Sequence, residues 1–259
     1  MTDRLFRRMN KGDQSGRLRA RTTPATRGGT KRMAFKIARV EHQFQSPGPQ
    51  PNGLQATPEG LWCIDQVDNK VYRVDYETGK VQFEAQTDTV HSSGITLGGG
   101  FLWIASTYER KIAKLDPETG RTVAKYDSPG SGIVAWREGA PDAGPTGAHG
   151  IEWCDGKLYV ASPPSQMIHI MDPDTWQELH AIRTPGLRVH GLAWGRDGRL
   201  WAADTSSGVV SLLGTEDGRI YEVIRVEAPT EVHGLTIHEG VLWYCDAHTC
   251  AIGRLLLDE

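Results

Sequence analysis

Short runs of alternating polar and apolar residues follow one another from Phe35 almost to the end of the chain. The runs are rich in Val, Ile, Trp and Tyr, which is typical of half-buried β-strands. Clusters of Gly, Pro, Asp and Thr separate the runs and favour tight turns. No long stretch places apolar residues at the spacing of an amphipathic helix, and no apolar run is long enough to span a bilayer. The pattern therefore predicts an all-β protein without a transmembrane helix.

The strand pattern repeats five times. Each unit opens with one residue followed by Gly and an apolar residue, and the five openings are Asn52-Gly53-Leu54, Ser93-Gly94-Ile95, His149-Gly150-Ile151, His190-Gly191-Leu192 and His233-Gly234-Leu235. A Leu-aromatic pair follows each opening, at Leu61-Trp62, Leu102-Trp103, Leu158-Tyr159, Leu200-Trp201 and Leu242-Trp243. Successive pairs are 41, 56, 42 and 42 residues apart, and the long interval contains an insertion at Gly132–Gly147.

Each unit predicts four short strands. In the first unit these are Gly53–Thr57, Leu61–Asp65, Lys70–Asp75 and Lys80–Ala85. Four strands in a period of about 42 residues are typical of a β-propeller blade. We therefore expect residues 34–259 to form a single five-bladed β-propeller domain with four antiparallel strands per blade. The last unit ends at Ala251–Leu257 without a fourth strand, so the N-terminal strand Phe35–Phe44 is expected to complete it and close the ring.

Charge is unevenly distributed along the 259 residues. Residues 1–33 contain ten Lys or Arg, two Asp and few apolar residues, so we expect a disordered basic tail ahead of a protein that begins at Met33. The remainder is strongly acidic, which disfavours nucleic acid as a partner.

The four cysteines lack CxxC spacing, which favours reduced thiols in a cytoplasmic protein. The sequence leaves the oligomeric state open.

The residues that open the five units are the first candidates for a functional site. In a propeller the first strand of each blade is innermost, so equivalent opening positions converge on the central axis. Imidazole suits divalent transition metals. We expect Fe, Mn, Zn, Cu or Ni to be bound by four histidines, namely His91, His149, His190 and His233. The alternative is structural, with each imidazole bonding a neighbouring loop carbonyl.

Other loops on the same face supply candidates for contact with a substrate. The insertion carries Trp136 and Arg137, which we expect to cover a small ligand together with Asn52, unless the insertion is an ordinary surface loop. Tyr108 and His248 do not follow the repeat, and we expect them to transfer protons.

The units Gly53–Val81, Gly94–Val123 and Gly234–Leu257 resemble blades of the virginiamycin B lyase (streptogramin lyase) family and its NHL and senescence-marker-protein relatives. The resemblance rests on the pattern GL…LW…D…I.R(L/V)D…TG and covers nearly everything after residue 50. It implies a propeller fold. Streptogramin lyases have seven blades, depend on magnesium and open a cyclic depsipeptide by elimination with a His/Glu arrangement, and no catalytic residue of theirs is matched here. The all-histidine ring is also similar, in chemistry alone, to the iron site of carotenoid cleavage oxygenases.

These features predict a metal-dependent enzyme that acts on a small molecule at the mouth of the central channel. A lyase that uses the metal as a Lewis acid is the first expectation. An iron-dependent oxygenase, a hydrolase and a non-enzymatic propeller that binds a ligand or protein are the alternatives, because fold alone does not decide function.

Overall fold

The computed structural model describes residues 33–141 and 143–257, in which twenty β-strands form most of the regular structure. The predicted basic tail at residues 1–33 lies outside the described residues, apart from Met33. In the described chain the remaining regular structure is two short 3₁₀ turns at Ala135–Arg137 and Arg196–Gly198. The predicted all-β class is confirmed.

The strands follow the predicted units closely. The N-terminal strand is β1 (Ala34–Gln45). The first sheet has β2 (Pro51–Thr57), β3 (Gly60–Asp65), β4 (Lys70–Val74) and β5 (Val81–Gln86). The second has β6 (Ser92–Gly98), β7 (Phe101–Ser106), β8 (Lys111–Leu115) and β9 (Thr122–Asp127). The third has β10 (Ile151–Cys154), β11 (Lys157–Ser162), β12 (Met167–Met171) and β13 (Glu178–Arg183).

The last two units share one eight-stranded sheet. Besides β1, its strands are β14 (Val189–Trp194), β15 (Arg199–Asp204), β16 (Val209–Gly214), β17 (Ile220–Val226), β18 (Leu235–His238), β19 (Val241–Cys245) and β20 (Ala251–Leu257). The order is β14-β15-β16-β17-β1-β20-β19-β18, so β1 lies in the middle.

Strand β1 joins the two ends of the described chain. It pairs antiparallel with β20, as expected for a strand that completes the last unit, and its first residues also pair parallel with β17. Ala38 belongs to both ladders, opposite Val226 on one side and Leu257 on the other. The parallel pairing is not predicted by the sequence, and it is the reason why two units appear as a single sheet.

The first strand of each unit contacts the first strands of its two neighbours, so that β2, β6, β10, β14 and β18 meet in cyclic order and β18 returns to β2. Buried apolar side chains fill the space between successive units. Trp62, Trp103 and Trp243 of the Leu-aromatic pairs are almost completely buried there. A small sheet is apolar on both faces in this arrangement because each face is covered by the next sheet.

Two further features bear on the expectations from sequence. Cys63 and Cys245 are buried free thiols, while Cys154 and Cys250 are half-buried and also free. Among the helical segments of the described residues, none has the length and apolar character needed to cross a membrane.

Candidate functional site at the channel mouth

The opening residues of the five units lie around the central axis, and we call Asn52, Ser93, His149, His190 and His233 the ring residues. The glycine after each ring residue explains their spacing. A β carbon at Gly53 would lie 2.6 Å from the Ser93 carbonyl oxygen, and one at Gly191 would lie 2.6 Å from the His233 carbonyl oxygen. A side chain at these positions would separate neighbouring inner strands, so glycine allows their close approach.

The imidazole of His190 contacts those of both His149 and His233. The ring centroids of His149 and His190 are 4.3 Å apart with nearly parallel planes, and those of His190 and His233 are 4.9 Å apart with planes inclined by 51°. Burial disfavours the charged form of an imidazole. It lowers the pKa of His149 to about 3, lowers the pKa of His190 well below its ordinary value, and lowers the pKa of His233 as well. Nearby Arg188 adds to the effect on all three. The cluster is therefore uncharged at neutral pH.

The hydrogen bonds of these histidines differ. His233 Nδ1 lies 3.2 Å from the carbonyl oxygen of Glu231, which is the structural role that the sequence offered as an alternative. The Nδ1 atoms of His149 and His190 and the Oδ1 atom of Asn52 are buried and have no hydrogen-bond partner within the described structure. A buried polar atom without a partner is costly. These three atoms occupy equivalent positions in their units and mark the throat of the channel as a place for a polar ligand or ordered water.

All nine predicted site residues border one cavity of about 710 Å³ above the ring. They are Asn52, His91, Tyr108, Trp136, Arg137, His149, His190, His233 and His248. The insertion reaches over this cavity through its 3₁₀ turn, and a pair of backbone hydrogen bonds between Gly132 and Thr146 closes its base. The insertion therefore lies at the cavity, where the sequence predicts a cover for a small ligand.

The two predicted proton-transfer residues stand at the cavity wall. Tyr108 is exposed and stacks on His91, with 3.8 Å between ring centroids and 7° between planes. The backbone N–H of His248 donates to Asp246 Oδ1, in a turn that Asp246 caps. Asp65 caps the equivalent turn of the first unit by accepting from the N–H groups of Val67 and Asp68.

Comparisons with known proteins bear on the fold. The family model of the anaphase-promoting complex subunit 4 WD40 domain matches residues 151–243, less than half of the chain. No curated protein matches the sequence. The structure is similar to Myxococcus xanthus glutaminyl cyclase, with a TM-score of 0.71 and 12% identity over 88% of this chain and 99% of that one.

Two lyases are also similar. Inactive virginiamycin B lyase from Staphylococcus aureus with quinupristin gives a TM-score of 0.51 and 20% identity over 83% of this chain and 69% of that one. A streptogramin B lyase gives a TM-score of 0.52 and 18% identity over 85% of this chain and 97% of that one. All three relatives are β-propellers. This chain is a β-propeller. The resemblance found in the sequence is confirmed at the level of the fold.

Two charged residues of the propeller's mouth were not identified from the sequence. Arg188 and Glu231 both line the cavity, and each lies two residues before a ring residue, as His91 does. The same offset gives Gln50 in the first blade, which is also at the cavity. The repeat therefore contained the signal, because a position that brings His91 to the mouth brings its equivalents there as well.

A buried carboxyl group lies deeper in the channel. Glu152 is three residues after a ring residue, and its equivalents are the polar residues Gln55, Thr96 and Thr236 and the apolar Ala193. Its two oxygens accept hydrogen bonds from the backbone N–H groups of Trp153 and Trp194, at 2.9 and 3.1 Å. Burial nevertheless raises the pKa of Glu152 to about 7. Strand alternation predicts that such positions face the same side, so this second polar ring was also accessible to sequence analysis.

The side chains do not fit the predicted metal site. Stacked imidazoles direct their in-plane lone pairs side by side, so His149 and His190 do not share an ion in this arrangement. His233 Nδ1 is engaged by backbone, and His91 stacks on Tyr108. Across residues 33–141 and 143–257, no group of three His, Cys, Asp or Glu is arranged to hold a metal ion. The unpartnered nitrogens of His149 and His190 are the strongest remaining support for an ion, and the metal stays a prediction.

Proposed function

We propose that this propeller is an enzyme of the lyase class that acts on a small molecule in the mouth cavity. The observation that carries the proposal is the combination of uncharged histidines and the Arg188 guanidinium at one cavity. Elimination needs a base that removes a proton from carbon and a positive group that stabilises the charge left behind. The cavity volume is within the usual range for small-molecule sites.

His233 is the proposed base. His233 Nδ1 has two backbone neighbours: it donates to the Glu231 carbonyl in one tautomer and accepts from the Ala247 N–H in the other. In the first tautomer Nε2 carries the lone pair, and this is the tautomer proposed to act as the base. The lowered pKa keeps this imidazole unprotonated at neutral pH. Glu231 Oε2, 4.0 Å from Nε2, would stabilise the imidazolium that forms when the proton is taken.

Arg188 is the proposed electrostatic partner. Its charge lowers the pKa of His149, His190 and His233, which places its field across the floor of the cavity. A fixed positive charge in a partly enclosed site stabilises an enolate more effectively than water does, because it needs no reorganisation. Trp136, Arg137 and Asn52 are proposed to contact the substrate, and Tyr108 or His248 to protonate the leaving group.

A metal is not part of this mechanism. Binding of a divalent transition metal would require the imidazoles of His149, His190, His233 and His91 to reorient, and the metal would then polarise a substrate oxygen. We also propose that the eight-stranded sheet is two blades that share β1, so that the propeller has five blades in one domain, and that the protein is cytoplasmic.

The reaction class is tested by the mass balance of a reaction in a mixture of small metabolites. Protein purified without a histidine tag is incubated with the mixture, which is then compared by mass spectrometry with a sample containing His233→Gln. For a lyase, the products together have the mass of the consumed compound. A hydrolase adds the mass of water, and an oxygenase adds the mass of oxygen. Products that contain added water or oxygen would overturn the lyase assignment.

The variants identify the site. His233→Gln is expected to abolish consumption, while His180→Gln, on the exposed outer strand β13, is expected to leave it unchanged. Metal content is measured in the same preparations. Near-stoichiometric metal that is lost in His149→Asn and His190→Asn would restore the metal-dependent mechanism.

A non-enzymatic binding module is the second candidate. It is favoured by the match of residues 151–243 to a WD40 domain, since the matched family is a subunit of a complex. In that case no compound is consumed, and a ligand or protein is retained by the mouth cavity without change.

A further inference from the structure

We propose that the substrate carries a single carboxylate that binds the Arg188 guanidinium, and a planar group that packs beside Trp136. This inference rests on the proposed function, since it names the substrate class of the same cavity. The argument begins with the state of Arg188.

The Arg188 guanidinium has no carboxylate partner within the described structure. The backbone N–H of Arg188 donates to Asp204 Oδ1, but no ion pair to the side chain is found there. The side chain is half-buried and borders the cavity, and its guanidinium carbon lies 5.9 Å from the Trp136 ring. A partly desolvated guanidinium without an acid partner is suited to bind an anion.

The remaining charges of the cavity limit the charge of that anion. Arg137 and Arg188 are positive, and Glu231 is negative. Glu231 stands on the blade next to Arg188 and would repel a ligand of higher negative charge. A monoanionic carboxylate is therefore favoured over a phosphate dianion. The planar guanidinium fork also matches the two oxygens of a carboxylate.

The walls of the cavity favour a flat ligand. Trp136 is 45% exposed in the insertion, and the stacked pair of His91 and Tyr108 forms a second flat surface of the same cavity. Aromatic rings at a binding site bury a large apolar area at little entropic cost and stack on planar groups. A small acid in which two saturated carbons join the carboxylate to an aromatic ring meets both requirements.

A carboxylate on Arg188 suits the proposed elimination. His233 Nε2 takes the proton from the carbon next to the carboxylate, and the electron pair of that C–H bond forms a carbon–carbon double bond. The leaving group departs from the adjacent carbon with its bonding electrons and receives a proton from the acid. Negative charge that develops on the carboxylate oxygens is held by the guanidinium that already binds them.

The test measures binding of four probes to the full chain by titration calorimetry. Benzoate has the charge and the ring, benzamide has the ring alone, cyclohexanecarboxylate has the charge on a non-planar ring, and inorganic phosphate has a higher charge. The variants are Arg188→Gln, Arg188→Lys and Trp136→Leu. Arg183→Gln, at the exposed end of outer strand β13, is the matched control.

We expect benzoate to bind most tightly, and Arg188→Gln to weaken it about 10- to 100-fold, as loss of a charge-assisted pair does. Arg188→Lys keeps the positive charge but lacks the planar guanidinium, so it is expected to bind benzoate with intermediate affinity. This variant also tests the inference if Arg188→Gln does not fold. Trp136→Leu should weaken benzoate more than cyclohexanecarboxylate. Arg183→Gln should bind benzoate as the parent does.

Equal benzoate affinity in the parent and in folded Arg188→Gln, or tighter binding of phosphate than of benzoate, would overturn the inference. Absence of benzoate binding to the parent would do the same. The proposed function fails separately. If benzoate binds through Arg188 but no acid in the metabolite mixture is converted, the carboxylate site stands and the lyase does not. If a neutral compound is converted and benzoate does not bind, the proposed lyase stands and the carboxylate site does not.

Discussion

The imidazole rings of His149 and His190 stack face to face, with 4.3 Å between centroids and 18° between planes. Stacking at this distance is compatible with two neutral rings and opposes two charged ones. The fold therefore contributes two closely packed uncharged bases from adjacent blades, beside the third at His233. This relationship makes the mouth of the channel sensitive to acid.

We expect the free energy of unfolding to fall as pH decreases below 6.5, the ordinary pKa of histidine. The unfolded chain binds protons at His149 and His190 in that range, whereas the folded chain does not, so each proton favours unfolding. Each histidine lowers the free energy of unfolding by up to about 1.4 kcal/mol per pH unit of acidification, until the pH reaches its pKa in the folded protein. Urea unfolding measured over a pH series checks this slope.

His149→Asn places in the third blade the residue that Asn52 provides in the first, and we expect it to reduce the acid slope. The control is His180→Asn, which is expected to follow the parent because His180 is exposed. If the parent and the His149→Asn variant lose stability in parallel as the pH falls, the buried imidazole of His149 is not responsible for the acid slope.

The packing of Gly94 against the next blade gives a second prediction. A β carbon at this position would contact the His149 carbonyl oxygen and lie 2.9 Å from the Ile151 backbone nitrogen. Because these are backbone atoms of a fixed strand, Gly94→Ala is expected to cost about 1–3 kcal/mol, the usual cost of overpacking. Gly144→Ala, in the insertion where a β carbon meets nothing within 4 Å, should be nearly neutral. Thermal melting of both variants measures the difference in stability. Equal melting temperatures would contradict the close approach of Gly94 to the next blade.

Closure through β1 gives a third prediction. Ala38 is completely buried between its partners on β17 and β20, while its neighbour Ile37 is 52% exposed. Ala38→Asp would bury an unpaired carboxylate and is expected to cost about 3 kcal/mol or more. Ile37→Asp should change stability little. Thermal melting and size-exclusion chromatography measure the loss of closure, and similar behaviour of the two variants would argue against it.

The strand pattern and the ring positions were predictable because both follow from constraints that recur in every unit. The glycine after each ring residue is required by the same close approach each time, so the repeat marks the innermost strand. The pairing of Ala34–Ala38 with Glu222–Val226 was not predictable. It joins distant parts of the chain, and no local pattern of either strand specifies its partner.

The candidate site was predictable in its location and less so in its chemistry. Equivalent positions brought the histidines to one point, and the same offset as His91 would have added Arg188 and Glu231. The orientation of each imidazole depends on side-chain torsions and on local partners such as the Glu231 carbonyl. Residue spacing does not encode these torsions, so the convergence of the histidines was predictable and the stacking of His149 on His190 was not.

Glu152 gives the last prediction, with the opposite dependence on pH. Its folded pKa of about 7 is above its ordinary value of 4.5, so the folded chain holds a proton that the unfolded chain releases between these values. The stability that the protonated group contributes is fully present below 4.5 and is lost as the pH rises through 7. Glu152→Gln removes this titration. It also loses one hydrogen bond, because the amide nitrogen cannot accept from a backbone N–H, and the cost of that loss does not depend on pH.

We therefore expect Glu152→Gln to gain stability relative to the parent as the pH rises, by up to about 3 kcal/mol across the window. Glu118→Gln, exposed in the turn between β8 and β9, is the control and should track the parent. Urea unfolding at matched ionic strength measures all three proteins. If the difference between Glu152→Gln and the parent does not change with pH, the channel carboxyl is charged in the folded protein, and the second polar ring then holds a negative charge below the histidines rather than a proton.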